Sequence, residues 1–353
     1  MDLDLFLHIL KIPSTSGEER LLAERLRELL PFGGCLVQSH EVGDGTVNLL
    51  FDWSGTGKPS FVFCTHLDTV PPYLPPLTVE VRRGDALPDG KVAAQDDLMV
   101  RGRGSCDAKG QIITMFMACR RLYDEGFRDF GLLLLAGEET GSFGAKAYSR
   151  DCAGGRFVLV GEPTDNCLVS ASKGTKSFEV TIPGKACHSG YPDQGISAVD
   201  RFADFMDAMG IVRLPEDPVL GPTTWNVGRL VSDNPQNILS PEIRFRIYFR
   251  TTFVTDALIE EILLGICPHD AVVMAFGGDS PQRYFHEVEG IESKTASFGS
   301  DAPRLDGFPM RAICGPGSIL TAHTDKEYVL VSQIEEAVER DVRIFKTIDE
   351  LNR

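Results

Sequence analysis

The chain has 353 residues, enough for a large core and for two domains, because single cores seldom grow beyond roughly 250 to 300 residues. Its 51 acidic residues against 35 basic ones give a formal net charge of −16. That balance speaks against nucleic acid or an anionic membrane as partner, since both demand basic patches. The nine cysteines stand singly, with no C-x-x-C pair, so they read as reduced thiols and not as a zinc ribbon or dithiol centre. The opening MDLDLFLHIL carries acids where a secretory leader is basic, and no apolar run approaches the roughly 20 residues of a bilayer span. A soluble, cytoplasmic protein is expected.

In chain order, Ser16 with Glu19 three residues on predicts a capping box ahead of a helix over EERLLAERLRELL, ended by Pro31. VNLLF (47–51), FVFCT (61–65), GLLLLA (131–136) and FVLVG (157–161) are short runs apolar on both faces, as strands covered by helices are. GQIITMFMACRRLYDEG between the second and third predicts a long helix and hence a βαβ unit. From about residue 172 the rhythm changes. SFEVTIP, ISAVDRFADFMDAM, TWNVGRL, IRFRIYF, TDALIEEILLGI and AVVMAF follow as β-α-β-β-α-β, the ferredoxin-like order. After Asp279 come a strand at RAIC (311–314) and a final helix from about Asp325. These elements imply an α/β domain, mostly parallel with helices on both faces, over 1–171 and 280–353, with an inserted ferredoxin-like domain over 172–279.

Polar residues gather where these strands end. His66 in FCTHLDTV closes one, and Asp68, two residues on, points to the same side of extended chain, where it could orient the imidazole. Glu138 and Glu139 follow LLLLAG, and Glu162 follows FVLVG. Asp107 in RGRGSCDAKG stands just before a helix, and His323 in GPGSILTAHTDKEYV lies in a loop. Singly, such residues are more often caps, turn residues or structural groups than ligands. Together they occupy the crevice beyond the carboxyl ends of the strands, where open α/β sheets build their sites. Two histidines with several carboxylates and no thiolate suit a hard or borderline divalent ion, zinc first among them.

HLDTVP, GRGSCDAKG, GEETGS, GEPT, CHSG and GPGSILTAHTDKEYV, in this order, resemble the co-catalytic di-zinc hydrolases that include acetylornithine deacetylase, succinyl-diaminopimelate desuccinylase, aminoacylase and several carboxypeptidases and dipeptidases. The resemblance implies a zinc-exopeptidase-like fold and two divalent ions, zinc or alternatively cobalt. His66 and Glu162 would hold one ion, Glu139 and His323 the other, with Asp107 between them; Asp68 would orient His66 and Glu138 would be the general base. In the inserted domain, a lid and dimerisation module by resemblance, His188 would stabilise the oxyanion, and Asn237 and Arg250 would bind substrate. Ser300 and Gly317 would line the pocket. FGSDAP stands where desuccinylases carry a basic SDGR-type loop, and the missing arginine speaks against a succinylated substrate. The implied function is removal of an acyl group, acetyl first, from an N-acyl amino acid such as N-acetylornithine, by a homodimer. A dipeptidase or carboxypeptidase on the same centre is the near alternative, and a non-catalytic binding protein the distant one.

Overall fold

The computed structural model describes residues 1–43 and 45–351. Two compact units are resolved: a larger one of Met1–Ser170, Tyr284–Lys294 and the chain from Ser300 on, and a smaller one of Ala171–Arg283 with Thr295–Gly299.

The larger unit is built on a six-stranded sheet in the order Leu36–Gly43, Thr46–Asp52, Phe130–Leu135, Phe61–His66, Phe157–Val160, Met310–Ile313. The last four run parallel, and Thr46–Asp52 runs antiparallel to both of its neighbours. Every residue of Phe61–His66, Phe130–Leu135 and Phe157–Val160 is buried, which is why these runs are apolar without alternation. Helices cover both faces. Leu22 and Leu26 of helix Arg20–Leu29 share a core with Val47, Leu49 and Phe51, whereas Asn48, on the opposite face of the same strand, donates to Gly144 of helix Phe143–Asp151 at 2.9 Å. The helices Lys109–Asp124 and Val331–Glu350 pack against one another, and Phe345 meets Phe61 and Phe130 edge-on.

The smaller unit has the order Gly174–Pro183, helix Ala198–Ile211, Thr224–Val231, Glu242–Thr251, helix Ile259–Ile266, Val272–Ala275. Its antiparallel sheet runs Thr224–Val231, Glu242–Thr251, Gly174–Pro183, Val272–Ala275. Ile243, Phe245, Ile247 and Phe249 alternate inward and meet Phe205, Met209, Ile259 and Leu263 of the two helices in a core of their own.

Two local expectations are corrected. Helix Arg20–Leu29 has Glu19 itself at its N-cap position and no side-chain cap bond, so Ser16 and Glu19 do not form the expected box; their side chains bond Asp68 and the Gly137 N–H instead. The chain from Asp325 first forms strand Tyr328–Leu330, paired with Asp97–Arg101, and only then the final helix. Strands Leu36–Gly43, Leu77–Val81 and Asp97–Arg101, mostly exposed or half-buried, lack a continuous apolar run that would announce them. Among the described residues no helix is long and apolar enough to cross a membrane.

Candidate metal centre

Three adjacent parallel strands, Phe130–Leu135, Phe61–His66 and Phe157–Val160, deliver Glu138 and Glu139, His66, and Glu162 at one end of the sheet. Asp107 comes to them from the loop before helix Lys109–Asp124. His323 comes from the loop before Tyr328–Leu330, with a left-handed φ of 65° that a non-glycine residue adopts only where its surroundings hold it.

Asp107 sits at the middle. Its Oδ1 lies 3.0 Å from His66 Nε2 and its Oδ2 3.1 Å from His323 Nε2, so one carboxylate reaches both imidazoles. His323 Nε2 is also 2.8 Å from Glu139 Oε1. Ligand atoms of His66, Asp107 and Glu162 lie within 4.8 Å of one another, as do those of Asp107, Glu139 and His323 and those of His66, Glu138 and Glu139. The first two groups share Asp107. Glu162 Oε1 is buried with no hydrogen-bond partner, a costly state for a carboxylate unless a cation meets it. A hard oxygen and imidazole donor set, an orphaned carboxylate oxygen and two triads sharing one bridging acid fit divalent cations.

The electrostatics agree. Burial alone would lower His66, but the hydrogen bonds and charges of Asp107 and Asp68 raise it well above the usual histidine range. Asp107 and Glu139 lift His323 to about 10. Asp107 itself is held low, because its bonds with His323 and His66 outweigh the opposing effect of burial. The carboxylates thus draw positive charge onto both imidazoles. Burial, reinforced by neighbouring acids, raises Glu138 and Glu162 well above the carboxylate range.

Supporting groups fix these side chains. His66 Nδ1 lies 3.0 Å from the main-chain oxygen of Asp68 and 3.4 Å from its carboxylate, so the orienting contact expected of the carboxylate is shared with the backbone. The Asp68 carboxylate chiefly serves elsewhere: Oδ1 accepts the N–H of Glu138 at 3.0 Å and Oδ2 that of Glu139 at 3.1 Å. Gly137, at φ 67°, opens the turn that lets the two adjacent glutamates diverge. Behind Asp107, Glu327 Oε1 accepts its N–H at 3.2 Å.

Ser300 is buried and accepts the N–H of Ala302 at 3.3 Å, capping its own turn. Gly317, at φ 84°, packs so closely that a Cβ there would lie 2.4 Å from Cys106 Cβ, next to Asp107. In the smaller unit the His188 and Asn237 loops pair: Ser189 donates to the Asn237 carbonyl at 2.9 Å, while the exposed His188 accepts from Gly190 at Nδ1. Arg250, near the end of Glu242–Thr251, lies half-buried with its guanidinium 5.1 Å from the Tyr248 ring centre. Sequence reasoning took Ser16 and Glu19 for a helix cap and passed over Arg103 and Glu327, whose partnership beneath the Asp107 loop only the fold reveals.

Fold and site together define an α/β protein with an acid- and histidine-lined centre suited to divalent metal. Residues 62–347 match the model of Peptidase family M20/M25/M40, and the chain belongs to that family. It is 31% identical over 380 residues to a probable carboxypeptidase of Emericella nidulans, covering 95% of this chain and 87% of the relative. It is 32% identical over 377 residues to a probable carboxypeptidase of Aspergillus terreus, covering 94% and 82%. Its structure is similar to that of a tripeptidase from Staphylococcus aureus, with a TM-score of 0.77, 19% identity and 98% and 97% of the two chains covered. A metallo-carboxypeptidase of the M20 family from Sulfolobus solfataricus superposes with a TM-score of 0.70 at 16% identity over 97% and 98% of the chains. A dinuclear metal binding peptidase from Bacillus subtilis does so at 0.68 and 10% identity over 97% and 95%. The protein is a hydrolase of amide bonds.

Proposed function

We propose that the protein is a two-metal hydrolase that cleaves the amide joining an acyl or peptidyl group to a terminal amino acid, releasing that amino acid. The observation that carries this reading is the Asp107 carboxylate shared between His66 and His323, with the half-buried Glu138 in reach of His66 and Glu139. His66, Asp107 and Glu162 would hold one ion and Asp107, Glu139 and His323 the other. When bound, such ions acidify water and stabilise negative charge developing on an amide oxygen.

The remaining chemistry belongs to side chains. Glu138 takes a proton from the attacking water and returns it to the departing nitrogen, a role that suits a carboxylate that desolvation holds well above the ordinary carboxylate range. His188 supplies a hydrogen bond to the oxyanion. Arg250, whose planar fork matches a carboxylate, holds the α-carboxylate of the released residue, aided by Asn237. A deacetylase and a carboxypeptidase both leave this same product, so the probable carboxypeptidases among its relatives are compatible with an N-acyl amino acid substrate. Zinc is the first metal to test and N-acetylornithine the first acylated substrate.

The test is a panel of N-acetyl and N-succinyl amino acids and of dipeptides with free or amidated C-termini, assayed on chelated protein and after zinc or cobalt is restored. Free-carboxylate substrates should turn over only with metal, and amidated ones poorly at best. Glu138→Gln should keep the metal and lose roughly 10²- to 10⁴-fold in kcat. Full turnover by that variant would remove Glu138 from its role.

A further inference from the structure

Ser16 and Glu19, which do not cap the helix that follows them, have partners on the far side of the sheet's end. Ser16 Oγ donates to Asp68 Oδ2 at 2.7 Å. Glu19, fully buried, accepts the N–H of Gly137 on Oε1 at 3.2 Å. With Asp68 accepting from Glu138 and Glu139, two carboxylates hold three successive amides of the turn, and Ser16 fixes one of those carboxylates. The segment is itself fastened at several points. Ser14 Oγ donates to the Leu67 carbonyl at 2.8 Å, the Ser14 carbonyl accepts from Thr69 at 2.9 Å, and buried Lys109 donates to the Ile12 carbonyl at 2.5 Å. It lies ahead of residue 62, where the family match begins.

We propose that Ser16 and Glu19 are positioning residues: through Asp68 and Gly137 they set the turn that presents Glu138 and Glu139. This rests on the reading of Glu138 as base and Glu139 as ligand. The turn starts in a left-handed conformation at Gly137, and its amides have no strand neighbour to bond. A buried N–H left unpaired loses its bond to water without replacement, so the turn holds its shape only while carboxylates accept those bonds. Asp68 must keep both oxygens on Glu138 and Glu139, yet His66 Nδ1 competes for Oδ1 from 3.4 Å. The Ser16 hydroxyl, bound to Oδ2, opposes rotation towards the imidazole. Displacing a reacting group by about 1 Å costs on the order of 100-fold in rate, so a loosened turn is read in kcat.

The test uses Ser16→Ala, Ser16→Thr and Glu19→Leu in the full chain, beside Glu138→Gln. Ser16→Ala and Glu19→Leu, which removes the acceptor for the Gly137 N–H, should lower kcat at least tenfold with KM within about twofold, and Ser16→Thr, which restores the hydroxyl, should recover most of the loss. In metal-free protein, hydrogen exchange at the amides of residues 137–139 should quicken at least tenfold in Ser16→Ala, with the central strands unchanged. Unchanged kcat and exchange in Ser16→Ala, or equal losses in the alanine and threonine variants, would overturn the inference. An active Glu138→Gln would instead overturn the assignment of the base. An inactive Glu138→Gln beside a fully active Ser16→Ala sinks the positioning role alone.

Discussion

Glu327 is buried with Arg103 against it: Arg103 donates to Oε2 at 2.5 Å, while Oε1 receives the main-chain N–H groups of Cys106 and Asp107 at 3.2 Å each. Burial, and then the charge of Asp107, push Glu327 up to about 7 despite the opposing pull of Arg103. Such a pair adds little net stability over an apolar replacement, but removing one partner strands the other charge at a cost of roughly 3–5 kcal/mol. Arg103→Met should therefore lose about 3 kcal/mol in denaturant unfolding. The double variant with Glu327→Gln should lose less than the sum of the two single changes, a coupling that a double-mutant cycle measures. Additive losses would mean that the ion pair is not what holds the Asp107 loop. His323 stood out in the sequence because histidine is rare in this chain and ligates metal. Glu327 did not, since an acid just before an apolar strand is ordinarily a surface residue, and only the fold brings it beneath Asp107.

The same contrast recurs among elements. Strands buried on both faces were legible because burial demands an apolar side chain at every position, as in Phe61–His66. The segment at 16–19 was misread because Ser-x-x-Glu satisfies amides equally well at a helix start or at a distant turn, and local spacing cannot tell the two apart. Helix Val331–Glu350 poses a related question, for it buries Asp341 beside Arg340 in the core layer. Burial, opposed by the Arg340 charge, raises the Asp341 carboxyl to about 7, from about 3.8 in an unfolded chain. Between those values the folded protein keeps a proton that the unfolded chain has released. Stability therefore falls as pH climbs from about 4 to about 7, by a few kcal/mol in all, and the loss is complete above that. Asp341→Asn removes this slope. Its Tm should gain on the wild type steadily from pH 5 to about pH 7 and hold that gain above, and a pH-independent difference would show that Asp341 stays ionised in the fold.

At the scale of the molecule, the β-α-β-β-α-β order of the smaller unit was legible because its strands alternate and its helices are amphipathic, as Ile243, Phe245, Ile247 and Phe249 show. What periodicity could not supply was the set of contacts between loops far apart in sequence, such as Asp107 with His323. Among the described residues the metal-fitting groups all belong to the larger unit, and each unit has a separate apolar core. A cation bound there stabilises the larger unit by about 2.7 kcal/mol at one hundred times its dissociation constant, and does nothing directly for the smaller core. The two tryptophans make this measurable, since Trp53, stacked on Phe130, reports on the larger core and Trp225 packs against the smaller one. In a Trp225→Phe protein, zinc should raise the fluorescence-detected Tm by roughly 5–10 °C, at 2–4 °C per kcal/mol for a unit of this size. In a Trp53→Phe protein the transition should move by less than about 2 °C, and chelator should reverse the first shift. Equal shifts at both tryptophans would mean that metal binding and unfolding engage both cores at once, and the centre would then not be the property of the larger unit alone.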